Sequence, residues 1–193
     1  MPPAPDGPAP DGPASDGPAS DARPALVVSA CLLGTCCNHE GAHSRRDAVE
    51  ALGGTFRLVP VCPEVAGGLP VPRPAAERRA GRVVTVDGAD VTDAYERGAA
   101  FTVELAGAHG ATAAVLKARS PSCGAGPVYD GTFTRTLTAG PGVTAAALRA
   151  AGVTVWSEED VAAGAGPVPP GTAAPGPPGR GGATRETGGL PGL

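Results

Sequence analysis

Val59-Pro60-Val61-Cys62-Pro63-Glu64-Val65-Ala66-Gly67-Gly68-Leu69-Pro70-Val71-Pro72-Arg73 joins a short apolar run to a cysteine, a carboxylate and a loop of glycine and proline. Pro63 fixes its own φ and drives Cys62 toward the extended region, which places the thiol where a strand ends. The glycines and prolines beyond it predict irregular structure, with Gly67-Gly68 bringing backbone close to whatever the thiol holds. Two other segments repeat this order of strand, cysteine and glycine. They are Leu26-Val27-Val28-Ser29-Ala30-Cys31-Leu32-Leu33-Gly34 and Ala113-Ala114-Val115-Leu116-Lys117-Ala118-Arg119-Ser120-Pro121-Ser122-Cys123-Gly124.

Outward from these stretches, apolar runs and helical patterns alternate. Ala25–Ala30 is an apolar run of the length of a buried parallel strand, Thr112–Leu116 is another apolar strand, and Phe56–Val61, Val153–Trp156 and the short Arg82–Val86 are further strand candidates. Arg46–Leu52 predicts a short helix ended by Gly53-Gly54, and Val143–Ala151 an alanine-rich one ended by Gly152. Thr92–His109 predicts the longest helix, with Val91, Tyr95, Gly98, Thr102, Leu105 and His109 on one face and Gly110 at its end. Val128–Phe133 suggests a turn between extended pieces. This alternation predicts an α/β fold, a single domain with a mostly parallel sheet flanked by helices and disordered termini. Ligands of such sheets bind beyond the carboxyl ends of the strands, where Cys31, Cys62 and Cys123 would gather.

Composition sets the limits of that domain within the 193 residues. Residues 1–24 repeat Pro, Ala, Asp and Gly, and residues 161–193 are again rich in Gly and Pro. Neither stretch has apolar surface to offset ordering entropy, so both are expected to be disordered and the domain to span 25–160. The head lacks a signal-peptide pattern and no run of about 18 apolar residues occurs, which predicts a cytoplasmic protein without membrane contact. Residues 24–160 hold 12 lysine and arginine against 14 aspartate and glutamate residues, a net charge of −2. No basic field marks a nucleic-acid surface, and aromatics are only 3%, too few for base-stacking platforms. A tRNA partner is possible but not indicated by charge, and the oligomeric state is not legible.

The five cysteines read as metal ligands or reactive thiols rather than disulfides in that compartment. None makes a C-x2-C pair, so a zinc ribbon is not expected. A lone buried cysteine is commonly a small apolar core residue. That reading weakens for three at equivalent strand ends beside Gly or Pro. They could hold zinc with His39 or His43 as fourth ligand, or a 4Fe–4S cluster with one iron left open. Such an iron is a thiophilic Lewis acid. Glu64, two residues after Cys62, could transfer protons beside it, or simply stabilise the loop. Ser120 and Ser122 could orient substrate or satisfy a tight turn. Lys117, the single lysine of the chain, could neutralise an anion in the site or sit as a solvated surface charge. Cys36, His43 and His109 read as background.

The motifs VSACLLG at 28–34, VPVCPEVAGGLPVPR at 59–73, AAE at 75–77, DVT at 90–92, LKARSPSCG at 116–124, YDGTF at 129–133 and GVTAAALRAAGVTVWSE at 142–158 resemble the DUF523 family over nearly the whole core. Its best understood members are thiouracil desulfurases, in which three cysteines bind a 4Fe–4S cluster whose open iron captures a thiocarbonyl sulfur without net redox change. The resemblance implies Cys31, Cys62 and Cys123 as cluster ligands. It implies Glu64, with Ser120 or Ser122, as acid/base and positioning groups. It makes the expected activity removal of sulfur from a thiolated base such as 2-thiouracil, with release of sulfide. A tRNA thiouridine desulfidase and a non-catalytic iron–sulfur or zinc sensor are the alternatives. One segment departs from the family: relatives read CRYDG where this chain has Cys37-Asn38-His39-Glu40-Gly41.

Overall fold

The computed structural model describes residues 21–169 and 171. Of the two termini expected to be disordered, 1–20, 170 and 172–193 lie outside the described residues. The centre is a sheet of four parallel strands in the order β2-β1-β5-β8: β1 Ala25–Ser29, β2 Arg57–Val61, β5 Ala113–Leu116 and β8 Thr154–Ser157. Every residue of β1 and β5 is buried, which is why both read as unbroken apolar runs.

Successive side chains of a strand point to opposite faces, and the two faces build two cores. Val27, Val59, Ala114 and Val155 pack beneath Ala106 of α3 (Thr92–His109) and Ala145 and Leu148 of α4 (Val143–Ala150). Leu26, Val28 and Val115 face the other way, against Leu32, Val49 of α1 (Asp47–Glu50) and Val161 of α5 (Glu158–Ala162). The result is three layers around one parallel sheet, as expected of the sequence. Helix α3 keeps the predicted limits and buries Tyr95, Gly98 and Thr102, whereas His109 stays exposed beside Arg57. Gly110, at φ 64°, closes it in the left-handed region that glycine enters without a Cβ penalty.

Four elements differ from expectation. The irregular loop after Cys62 opens with a turn of helix, α2 (Pro63–Ala66). Proline suits the first helical turn because its missing N–H is not needed there. The single strand expected near residue 82 is half of a hairpin, in which β4 (Arg82–Thr85) pairs antiparallel with β3 (Ala76–Arg79). Around 128–138 the extended pieces pair as β6 (Val128–Tyr129) and β7 (Leu137–Thr138). Helix α5 runs across residue 160, started by a capping box in which Ser157 and Asp160 bond each other's backbone.

The glycines of the organising loop also act differently. A Cβ on Gly67 would collide with the carbonyl oxygen of Ala94, and one on Gly98 with the carbonyl oxygen of Pro63. The close approach permitted by Gly67 is therefore of α2 to α3, backbone on backbone, rather than of backbone to a ligand. It fixes the helix that carries Glu64 and directly follows Cys62 against the helix that carries Tyr95.

Candidate active site

Because β1, β2 and β5 are parallel, their carboxyl ends meet at one edge, and each delivers a cysteine there. Cys31 lies in the helical turn Ala30–Leu33 directly after β1, ended by Gly34 at φ 92°. Cys62 lies between β2 and α2, in the extended conformation that Pro63 requires. Cys123 follows the loop that leaves β5 and is 5% exposed. All three line one cavity of about 410 Å³, which also takes in Glu64, Arg73, Tyr95, Lys117 and Ser120. A fourth thiol, Cys37, lines it as well.

The Cys62 thiol donates to the Cys37 carbonyl at 3.5 Å. Interaction with the neighbouring Cys31 thiol, followed by burial, pushes the Cys37 thiol up to about 11. Cys62 is raised further by the Cys37 contact and by burial, and burial pushes Cys123 up to about 12. A metal group seated among these thiols must displace their protons. Among the described residues no three Cys, His, Asp or Glu side chains stand close enough to clasp one ion. A single zinc needs its sulfurs at about 2.3 Å from one centre. A four-iron cluster spreads three cysteines over three irons, so its ligands stand farther apart. Three thiols lining one cavity from loops at three strand ends are a donor set of the kind such a cluster takes.

The carboxylate of Glu64 is held asymmetrically. Its Oε2 accepts from Arg73 Nε at 2.8 Å and from the Tyr95 hydroxyl at 3.2 Å, and lies 2.7 Å from Arg73 Nη2 in a salt bridge. Its Oε1 has one partner among the described residues, the Ser120 hydroxyl at 3.4 Å. Arg73 is 5% exposed along its side chain and Glu64 13%, so the pair is largely removed from water. Burial opposes the Arg73 charge, but Glu64 beside it prevails and holds the guanidinium protonated. Tyr95, 2% exposed, is raised well above the ordinary phenol range by burial and by the Glu64 charge. Arg73 also donates to the carbonyls of Cys37 at 3.1 Å and Pro70 at 3.2 Å, and its own N–H to that of His39 at 2.9 Å. One side chain thus ties the Cys62 loop to the Cys37 loop.

The other sequence-singled residues divide. Ser120 lines the cavity, and its hydroxyl accepts from the N–H groups of Ser122 and Cys123 at 3.1 and 3.0 Å. Ser122 is fully buried behind the wall, bonded to the Thr144 hydroxyl at 2.9 Å. Lys117 reaches the cavity wall, but its ammonium meets Glu158 Oε1 at 2.6 Å, while Glu158 Oε2 accepts from the N–H of Ala118. Its charge is thereby matched inside the fold by a carboxylate 3% exposed. His39 and Glu40, in the segment that departs from CRYDG, line the cavity, whereas Cys36 is exposed.

Three site residues escaped the sequence reading. Tyr95 stood on the predicted face of α3, and a hydroxyl buried there needs a polar partner. Arg73 ended the organising stretch, where an arginine beside buried backbone turns signals a multiple donor. Cys37 carried no signal beyond its neighbourhood.

The chain as a whole is similar to known proteins. The sequence pattern of the 2-thiouracil desulfurase family fits residues 26–160. The chain belongs to that family. It is accordingly a thiouracil desulfurase-like enzyme, of a family that cleaves carbon–sulfur bonds. A solved structure, the 4Fe–4S-dependent thiouracil desulfidase TudS, is 44% identical, with a TM-score of 0.69 over 73% of this chain and 95% of the other. The uncharacterised protein YbbK of Bacillus subtilis (strain 168) is 40% identical over 146 residues, 70% of this chain and 97% of that one. Among the described residues no helix is long and apolar enough to cross a membrane.

Proposed function

We propose that this desulfurase-family enzyme is a 4Fe–4S-dependent, non-redox desulfurase that converts a thiolated base such as 2-thiouracil, with water, into the oxygen analogue and hydrogen sulfide. Cys31, Cys62 and Cys123 would hold the cluster, which supplies a thiophilic Lewis acid for the substrate sulfur. The observation that carries the reading is the convergence of those three thiols and the Glu64 carboxylate on one cavity. The printed description of the 44%-identical TudS structure, which names this cofactor and substrate, points the same way.

The chain's own groups account for the proton movements. Glu64 Oε1 takes a proton from water as its oxygen bonds to the thiocarbonyl carbon. The same carboxyl returns that proton to the sulfur as the carbon–sulfur bond breaks, then relays the proton left on the new carbon-bound hydroxyl to the departing hydrosulfide, so both protons of the water leave as hydrogen sulfide, the carboxylate is restored and no external oxidant or reductant is needed. Ser120, bonded to Glu64 on one side and to the Cys123 N–H on the other, keeps the acid/base group and the third thiol in register. Exclusion of water by the buried Arg73 and Tyr95 strengthens each of these contacts. Ser122 and Lys117, bound to Thr144 and Glu158, support the walls.

The test is anaerobic reconstitution followed by sulfide release from 2-thiouracil. Glu64→Gln keeps shape but removes the titrating group, and general acid–base groups typically contribute about 10²–10⁴-fold in rate. The variant should keep its iron and lose at least about a hundredfold in kcat. Full turnover by Glu64→Gln would move the proton transfer elsewhere, and a wild-type cluster protein that releases no sulfide from any thiolated base would end the proposal.

A further inference from the structure

Building on that desulfurase reading, we infer that Arg73 and Tyr95 are positioning residues, which clamp Oε2 of Glu64 so that Oε1 alone is presented for proton transfer. A free carboxylate rotates about its last bond, and its two oxygens exchange places. Here Oε2 accepts from Arg73 Nε at 2.8 Å and from the Tyr95 hydroxyl at 3.2 Å, and Arg73 Nη2 adds a salt-bridge contact at 2.7 Å. Among the described residues, only Ser120 bonds Oε1, at 3.4 Å. Rotation of the group out of this plane would draw it away from the buried guanidinium and leave that charge without its carboxylate, which the loss of a charge-assisted hydrogen bond strongly opposes.

The donors come from separate parts of the fold, so the clamp is a tertiary device. Tyr95 belongs to α3, seated against α2 at the Gly67–Gly98 crossing. Arg73 lies nine residues beyond Glu64 and is itself braced by the carbonyls of Cys37 and Pro70. Its planar fork meets a carboxylate and backbone carbonyls at once, which a lysine ammonium cannot do. Tyr95 adds one donor that cannot carry the clamp by itself.

Tyr95→Phe and Arg73→Lys in the full chain test the assignment by separating placement from cluster binding. Removing one hydrogen bond to a charged group should lower kcat roughly tenfold in Tyr95→Phe, with more lost in Arg73→Lys. KM, iron content and the visible absorption of the reconstituted cluster should stay at wild-type values. Iron falling in parallel with kcat would make both residues mere supports of the Cys62 loop and overturn the assignment, as would unchanged kcat in both variants. Crystal structures of the two cluster-free variants give a readout independent of turnover. Glu64 should lose its single orientation, and a carboxylate unmoved in both would refute the clamp even if wild-type protein were inactive on thiouracil. An inactive wild type with a displaced Glu64 in the variants would instead remove the proposed reaction and leave the clamp standing.

Discussion

Gly98→Ala offers the sharpest test of how the fold positions Cys62. The new methyl group would fall on the Pro63 carbonyl, far inside van der Waals contact, and the atoms it meets are backbone. That carbonyl is already engaged by the Gly67 N–H at 2.8 Å, so it cannot turn away without opening α2. Ordinary separation between heavy atoms is about 3.5–4.0 Å, so α2 and α3 must part by more than about 1 Å. Overpacking costs about 1–3 kcal/mol, and rigid backbone argues for the upper figure. Against it stands about 1 kcal/mol gained from alanine in a helix interior. The net loss of about 2 kcal/mol should lower the thermal midpoint by about 4–8 °C. Since α2 carries Glu64, a shift of this size should also cost about a hundredfold in activity. Gly107→Ala is the matched control, because on the same helix its Cβ would meet nothing within 4 Å. It should raise the midpoint by a few degrees, from about 0.5–1 kcal/mol of backbone entropy. Thermal unfolding followed by circular dichroism, with sulfide release on the same samples, reads both effects. If Gly98→Ala stabilised as Gly107→Ala does, the close crossing of α2 and α3 would be wrong.

Other expectations concern the cluster and the charges around it. Cys31→Ala, Cys62→Ala and Cys123→Ala should each lose iron on anaerobic reconstitution while Cys36→Ala keeps it, and full iron in Cys123→Ala would sink the ligand assignment. Lys117→Met leaves the Glu158 carboxylate, 3% exposed, with only the Ala118 N–H among its described partners. Urea unfolding should show a loss of about 3 kcal/mol. Arg119→Ala breaks a pair whose members are 51% and 56% exposed, and should cost less than about 1 kcal/mol. Removing residues 1–20 and 172–193 should leave the thermal midpoint unchanged within error, because their composition lacks core-forming residues.

The sequence by itself determined the layered α/β architecture and the three thiols at strand ends. Leu26–Ser29 and Ala113–Leu116 are continuous apolar runs because both faces of a central parallel strand are covered, and that demand is written in consecutive residues. Pro63 likewise fixes the conformation of Cys62 through a local steric clash. The limits of α3 were legible for the same reason, since Gly110 acts on the residues next to it. Helix α2 escaped because one turn has no periodicity, and its stability comes from Gly98, 31 positions beyond Gly67. The strand β3 escaped because its charged sequence Ala76–Arg79 is paid for by pairing with β4 rather than by burial.

Only the tertiary structure decided what the polar groups do. Lys117 could be a surface charge or an anion site by sequence, until Glu158, 41 residues away, arrived at the carboxyl end of the neighbouring strand β8. Ser120 and Ser122 were indistinguishable in the motif; the turn before Cys123 sends one to the cavity and the other behind it to Thr144. Glu64 was visible as a carboxylate beside a cysteine, but its clamped and open oxygens depend on Arg73 and Tyr95, brought in by a loop and a distant helix. The division follows from range: steric and hydrophobic preferences act between chain neighbours or along an element's period, whereas the partner of a buried charge is chosen wherever the packed fold leaves one within hydrogen-bond reach.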